Sequence, residues 1–363
     1  MSISNNTIEA TRRQNELAGT AAKDVDLATL DGFQLPVDVT EEMLDRMQKG
    51  VQVLGMADTM VLPRLEMEVP QFGVPRLSGH ARDEEGSRTQ NSSVESGSVK
   101  FNATDKQYYI LVEPKRDALK NTHYGPDQFG DYIVDQFVER YGNDLGLIGL
   151  RAGASSGNLQ SLGGAAELDQ TWTGWIARAE GDTQSVDDAG DSTRIGLEDT
   201  TTAEAGSMPS IANTDGSGNP QPIDTALFDQ TITRLDSRYR DGDGVDPVLM
   251  TSPNQVQRYA MALTEREDPL GSAVIMGDSD ITPFSYDLIG VNGWPDEYMM
   301  FTDPDNLAFG LYEEMELDQS RDTDKVHEQR LHSRNWLEGQ FDFQIKEMQA
   351  GVLVTDLKAP TVA

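Results

Sequence analysis

Residues 226–263 read ALFDQTITRLDSRYRDGDGVDPVLMTSPNQVQRYAMAL, and their organisation decides how the chain is read. Leu227, Ile232 and Leu235 place one apolar face on an amphipathic helix that runs through SRYR. DPVLM is a short apolar run of the kind that forms a buried strand. Ser252 is suited to cap a second helix, SPNQVQRYAMAL, with Pro253 at its first position. Between them lies DGDGVD, which invites comparison with a calcium loop. Counted from Asp241, Asp243 fills the third position, but Val245 holds the fifth and Asp246 replaces the required glycine. The twelfth position is Ser252 rather than glutamate. The loop is therefore read as a corner in which Gly242 and Gly244 supply positive φ. The order is helix, corner, strand, proline, helix.

Acidic motifs carry little weight because the whole chain is acidic. Its 363 residues include 62 Asp and Glu against 29 Lys and Arg, a net charge of −33. That excludes a sequence-independent grip on nucleic acid, which requires clustered cations to displace counterions. Yet 37% of the residues are hydrophobic, with 11 Phe, 10 Tyr and 4 Trp, enough apolar material to fold. At about 1 M salt the screening length is roughly 3 Å, so a surface this acidic stays hydrated without tearing the fold apart. A high-salt habitat is the expectation, with an ordinary acidic mesophile as the bland alternative. There is no cysteine, so disulfides and thiolate chemistry are excluded. The N-terminus lacks the apolar segment of a signal peptide, and no run approaches a membrane span. Synthesis in the cytoplasm without export or membrane contact is expected.

Elsewhere the chain opens with a polar arm, then a helix carrying Met43, Leu44, Met47, Val51 and Leu54. RLEMEVP alternates as a strand, and SVKFNA and QYYILVEP resume as strands after a polar, charged excursion from Arg76 to Ser98. Such a pair of strands forms a projecting hairpin without a core of its own, which needs something to rest on. Within residues 125–153, Phe129, Ile133, Phe137, Tyr141 and Leu145 recur every four residues, predicting a long helix across a sheet. Residues 152–222 are rich in Gly, Ser, Thr, Asp and Ala and are read mainly as surface loops, apart from TWTGWIARA. The last fifty residues are read as β, from KVHEQRLHSRNW through QFDFQIKEM, with Phe341, Phe343 and Ile345 alternating, to GVLVTDL.

No catalytic constellation emerges. GASSG at 153–157 matches a nucleophile elbow, but a helix precedes it where a strand is required. His327 and His332, five apart on an expected strand, would face opposite ways and do not make a zinc pair; His80 and His123 stand alone. Asn5, Asn91 and Asn102 lie in chance sequons. No catalytic, cofactor-binding or metal-binding residue is assigned.

The order of elements resembles the Hong Kong 97-type major capsid protein of tailed viruses. The resemblance is carried most specifically by residues 226–263. It is supported by VLPRLEMEVPQFG, the helix ending GLRAG, TGWIA and SRNWLEGQFDFQIKEMQAGVLVTDL. It implies an α+β fold with an N-terminal arm (1–72), an extended loop (73–112), a peripheral domain with a spine helix (113–180) and an axial domain (223–310). Residues 181–222 would be a Gly/Ser/Asp-rich insertion or loop, and 311–363 the closing strands of the peripheral and axial domains. The implied function is self-assembly, through pentamers and hexamers, into an icosahedral virion shell enclosing double-stranded DNA without reading its sequence. The acidic composition adds a halophilic archaeal host. Arg76, Arg82, Arg88, Lys100 and Lys106 are the expected inter-subunit contacts. Portal, protease and decoration proteins are further expected partners, and any scaffold is expected to be a separate protein or to be absent. An encapsulin-type compartment shares the fold, and a halophilic soluble enzyme is the reading from another class.

Overall fold

The computed structural model describes residues 33–34, 52–73, 95–115, 126–181, 207–240, 245–264, 282–312, 315–320, 324–331 and 333–360. At 33–34, 70–73, 95–98, 126–138, 238, 264, 317 and 319 only the backbone is described. The helix expected around Met43, Leu44 and Met47, the glycine corner at 242–244, and His80, His123 and His332 lie outside the described residues.

In chain order the elements are β1 (Phe33–Gln34), α1 (Gln52–Met56), β2 (Asp58–Leu62), β3 (Glu66–Gly73), β4 (Glu95–Asn102), β5 (Gln107–Val112) and α2 (Pro126–Arg151). Then come α3 (Ala166–Thr171), α4 (Trp175–Glu180), β6 (Ser210–Ala212), α5 (Thr225–Arg234), α6 (Ser237–Arg240), β7 (Val248–Thr251) and α7 (Pro253–Thr264). The chain closes with β8 (Leu288–Gly290), β9 (Met299–Thr302), β10 (Leu307–Tyr312), β11 (Glu316–Ser320), α8 (Asp324–Glu328), β12 (Arg334–Ile345) and β13 (Gly351–Thr355).

Among the described residues the strands form a six-stranded sheet, a five-stranded sheet and a two-stranded ribbon. The first is organised by the long strand β12, which pairs antiparallel with β10, β11 and β5, while β2 runs parallel to β10. Phe341, Phe343 and Ile345 of β12 pack with Tyr141, Leu145 and Ile148 of α2 and with Trp175 of α4 in the main core. The predicted helix across a sheet is observed, and the last two residues of its stripe are fully buried. The second sheet has the order β6-β13-β9-β7-β8. One side of it belongs to the main core through Met250, Met300 and Leu353, and the other meets α5 and α7 through Phe228, Tyr259, Leu249 and Phe301. Within residues 226–263 the strand and the proline-led helix form as read: β7 is buried throughout, and Ser252 Oγ accepts the Gln255 N–H at 3.2 Å. Ser252 also donates its hydroxyl to Asp296.

Three expectations require correction. The single helix expected through SRYR breaks at Leu235, whose φ of −71° and ψ of 130° are extended. Leu235 and Tyr239 still join the cluster of Phe228 across the break. Residues 324–328 form α8 rather than strand, with Asp324 in the first turn, Val326 buried and His327 on the helix. The region 152–222 holds more than loops. Besides α4 it contains α3, and β6 joins the second sheet parallel to β13.

Candidate assembly surfaces

The ribbon of β3 and β4 is the projecting hairpin anticipated from sequence, with eight paired positions from Glu66↔Asn102 to Gly73↔Glu95. Its root, however, rests on its own chain. Val99 and Phe101 of β4 are buried with Leu62 and Ala308, and Met67 and Val69 of β3 pack against that cluster. Phe101 lies directly over Gly310 of β10, where an added Cβ would fall 2.8 Å from its ring.

Asp342 fixes this root. It sits in β12 between Phe341 and Phe343, is 1% exposed, and receives four donors from four segments. Lys106 Nζ donates to Oδ1 at 2.8 Å and an Arg178 guanidinium N–H, from α4, donates to the same oxygen at 3.3 Å. The Asn102 backbone N–H and Gln344 Nε2 donate to Oδ2 at 3.0 and 3.2 Å. Gln344 Nε2 also donates to the Lys100 carbonyl at 2.8 Å, so a second polar side chain of β12 grips β4. A carboxylate buried among phenylalanines is tolerable because two cations and two amide donors replace its water.

The five residues expected at inter-subunit contacts fall in three places. Arg76, Arg82 and Arg88 lie outside the described residues. Lys100 is half-buried on β4 opposite Glu68 of β3. Lys106 is 8% exposed, with its ammonium held by Asp342 inside its own chain. Asp342 itself was not singled out from sequence. The available signal was the polar pair Asp342 and Gln344 alternating with three large apolar residues, which looks like an ordinary solvent face until the hairpin root covers it.

The motif GASSG is a helix exit. Gly153 and Gly157 take φ of 71° and 62°, and the Ser155 N–H donates to Glu180 at 2.9 Å. Tyr298 donates its hydroxyl to the same carboxylate at 2.7 Å, and burial, reinforced by that acceptor, pushes the phenol well above its ordinary value. Tyr108, donating to Asp144 at 2.9 Å, is pushed up in the same way, first by burial and then by the carboxylate. These are structural anchors. Among the described residues no group of three or more His, Asp or Glu could hold a metal ion, and no helix is long and apolar enough to cross a membrane.

No protein family and no curated protein matches the sequence. Solved structures do match. A chain of the satellite phage P4 procapsid, determined with its size determination (Sid) protein, superposes with a TM-score of 0.62 at 14% identity, covering 97% of this chain and 98% of that one. The capsid of a native GTA particle gives 0.55 at 12% identity, with 85% and 91% covered. The capsid of cyanophage A-1(L) gives 0.55 at 12% identity, with 85% and 93% covered. The chain therefore has the Hong Kong 97-type capsid fold over nearly its whole length.

Proposed function

We propose that this chain is the major capsid protein of a tailed virus. It self-assembles through pentamers and hexamers into an icosahedral shell enclosing double-stranded DNA. The observation that carries this reading is the coverage in both directions, 97% of this chain and 98% of the P4 procapsid chain, with 85% and 91% for the GTA capsid. On this reading residues 1–72, 73–112, 113–180, 223–310 and 311–363 are the arm, extended loop, peripheral domain, axial domain and closing strands. Residues 181–222 are an insertion within them. The loop arginines Arg76, Arg82 and Arg88 reach neighbouring subunits, and Lys100 lies along the same path. The charge of −33 points to a host that keeps molar salt in its cytoplasm, a halophilic archaeon. DNA is enclosed by volume rather than bound by sequence, and portal, protease or decoration proteins act beside the shell.

Electron microscopy of the purified protein in molar salt tests the proposal. Closed icosahedral shells, holding DNA when taken from infected cells, are expected. Shells filled with a cargo protein would replace it with a nanocompartment, and a monodisperse monomer would sink it.

A further inference from the structure

The turn at Pro283–Ser285, just before β8, is strained. Phe284 has φ of 53° and ψ of 33°, and Ser285 follows with φ of 73°. For a bulky side chain this left-handed conformation is an outlier, and it persists only where the surroundings over-determine it. They do so here. Pro283 is buried, the Tyr286 N–H donates to the Pro283 carbonyl at 3.1 Å, and the Tyr286 ring meets Phe301 edge-on at 5.1 Å. What the strain displays is an aromatic ring in solvent, for Phe284 is 57% exposed. A glycine would hold the same backbone without strain, so the turn itself does not call for a phenylalanine.

The strand that follows the turn, β8, forms one edge of the second sheet, and β6 forms the other, four strand spacings or roughly 19 Å away. At the β6 edge lies a cavity of about 470 Å³, within the range of pockets that seat small ligands. Ala179, Met208 and Leu353 line it with buried apolar surface, Pro209 and Ser210 bring it to the edge strand, and the exposed Arg234 adds a guanidinium. Apolar surface beside a guanidinium is the chemistry that takes an aromatic ring, whose body leaves water while its face attracts the cation. We propose that Phe284 of one copy seats in this cavity of the next, a contact that deepens the shell reading and rests on it. The width of the sheet keeps Phe284 from the cavity of its own chain. Because knob and cavity stand at opposite edges of one sheet, the contact is head-to-tail and repeats from copy to copy, as closed rings require. Each copy carries −33, so an anchor that brings no further charge to the contact adds nothing to the repulsion.

Three measurements in molar salt test this. Phe284→Gly removes the ring and relieves the backbone, so the shell yield by sedimentation is expected to fall roughly tenfold or more. The urea midpoint of the unassembled subunit should stay level or rise, and Phe284→Tyr should assemble like wild type. The absence of native cysteine allows a Thr282→Cys chain, its Phe284 intact, to be mixed with a Ser210→Cys chain and bridged by a short bismaleimide. Mass spectrometry of the shells should then find a 282–210 linked peptide joining two copies. The Ser210→Cys thiol should also react with a maleimide in free subunits and be shielded in shells. A Phe284→Gly chain that assembles like wild type overturns the inference, as does absence of the linked peptide from assembled shells. A midpoint that falls with the yield assigns the ring to the fold instead, and a thiol already shielded in free subunits shows the cavity filled within one copy; either overturns it too. All four outcomes leave the shell reading standing, whereas a wild type that never assembles overturns both.

Discussion

Asp342 occupies a position where a strand gives a charged residue little to live on. Its neighbours Phe341 and Phe343 are fully buried, and it is itself 1% exposed. Its carboxylate is met by Lys106 and Arg178, brought from β5's approach and from α4. The arrangement is conditional: an isolated buried charge is expensive, and removing one partner of a buried pair leaves the rest uncompensated. Asp342→Asn keeps the shape but removes the charge that Lys106 and Arg178 face in the interior. We expect it to lower unfolding stability by about 3–5 kcal/mol, measured by urea denaturation in molar salt. Hydrogen exchange should show the loss concentrated at Val99–Asn102 of β4. A variant within 0.5 kcal/mol of wild type would mean that water already compensates the cluster. Its alternation with Phe341 and Phe343 could not mark it, because a solvent-facing strand residue shows the same pattern and 62 acidic side chains make any single Asp uninformative. Three of its four donors come from 164 to 240 residues away.

At the scale of elements, legibility follows how local the determining forces are. The helix α2 and the Ser252–Pro253 start of α7 depend on neighbours within a turn or two, and both form as read. The break at Leu235 and the helix α8 depart from the reading in backbone rather than in burial: Leu235 is buried, as its place on the apolar face predicts, but is extended, and Val326 is buried from a helix rather than from a strand. The glycine of TGWIA was legible as a motif but not as a mechanism. Gly174 donates its N–H to the Ala152 carbonyl at 2.8 Å, where α4 meets the end of α2. A Cβ there would lie 2.8 and 2.9 Å from the carbonyl oxygens of Gly149 and Ile148. Backbone atoms of a helix cannot swing aside as a flexible side chain can. Gly174→Ala should therefore destabilise by roughly 1–3 kcal/mol through overpacking. Gly216→Ala, where a Cβ meets nothing within 4 Å, serves as the matched control and should be near neutral. Equal denaturation midpoints for the two variants would refute the close-approach argument.

For the whole molecule the dominant quantity is charge. Each copy carries −33, and a shell brings many copies into lateral contact. At about 1 M salt, charges more than roughly 3 Å apart are screened from one another, whereas at about 0.1 M the range extends to roughly 10 Å. The buried anchors at Asp342 are shielded from this change, since ions do not enter a dry interior. Exposed carboxylates at contacts between copies are not. The two levels of structure should therefore separate as salt is withdrawn, with subunit contacts failing before the fold. Dialysis of assembled shells from molar salt to about 0.1 M should release subunits, read by light scattering. The near-UV circular dichroism of the buried tryptophans, Trp172 and Trp175 among them, should persist until lower salt. Restoring salt should restore the scattering. Sodium and potassium chloride should act alike, because the effect is one of ionic strength rather than of a bound ion. Particles that remain intact in dilute buffer would show that the contacts between copies do not depend on screening, and would remove the acidic surface as an argument for a high-salt host.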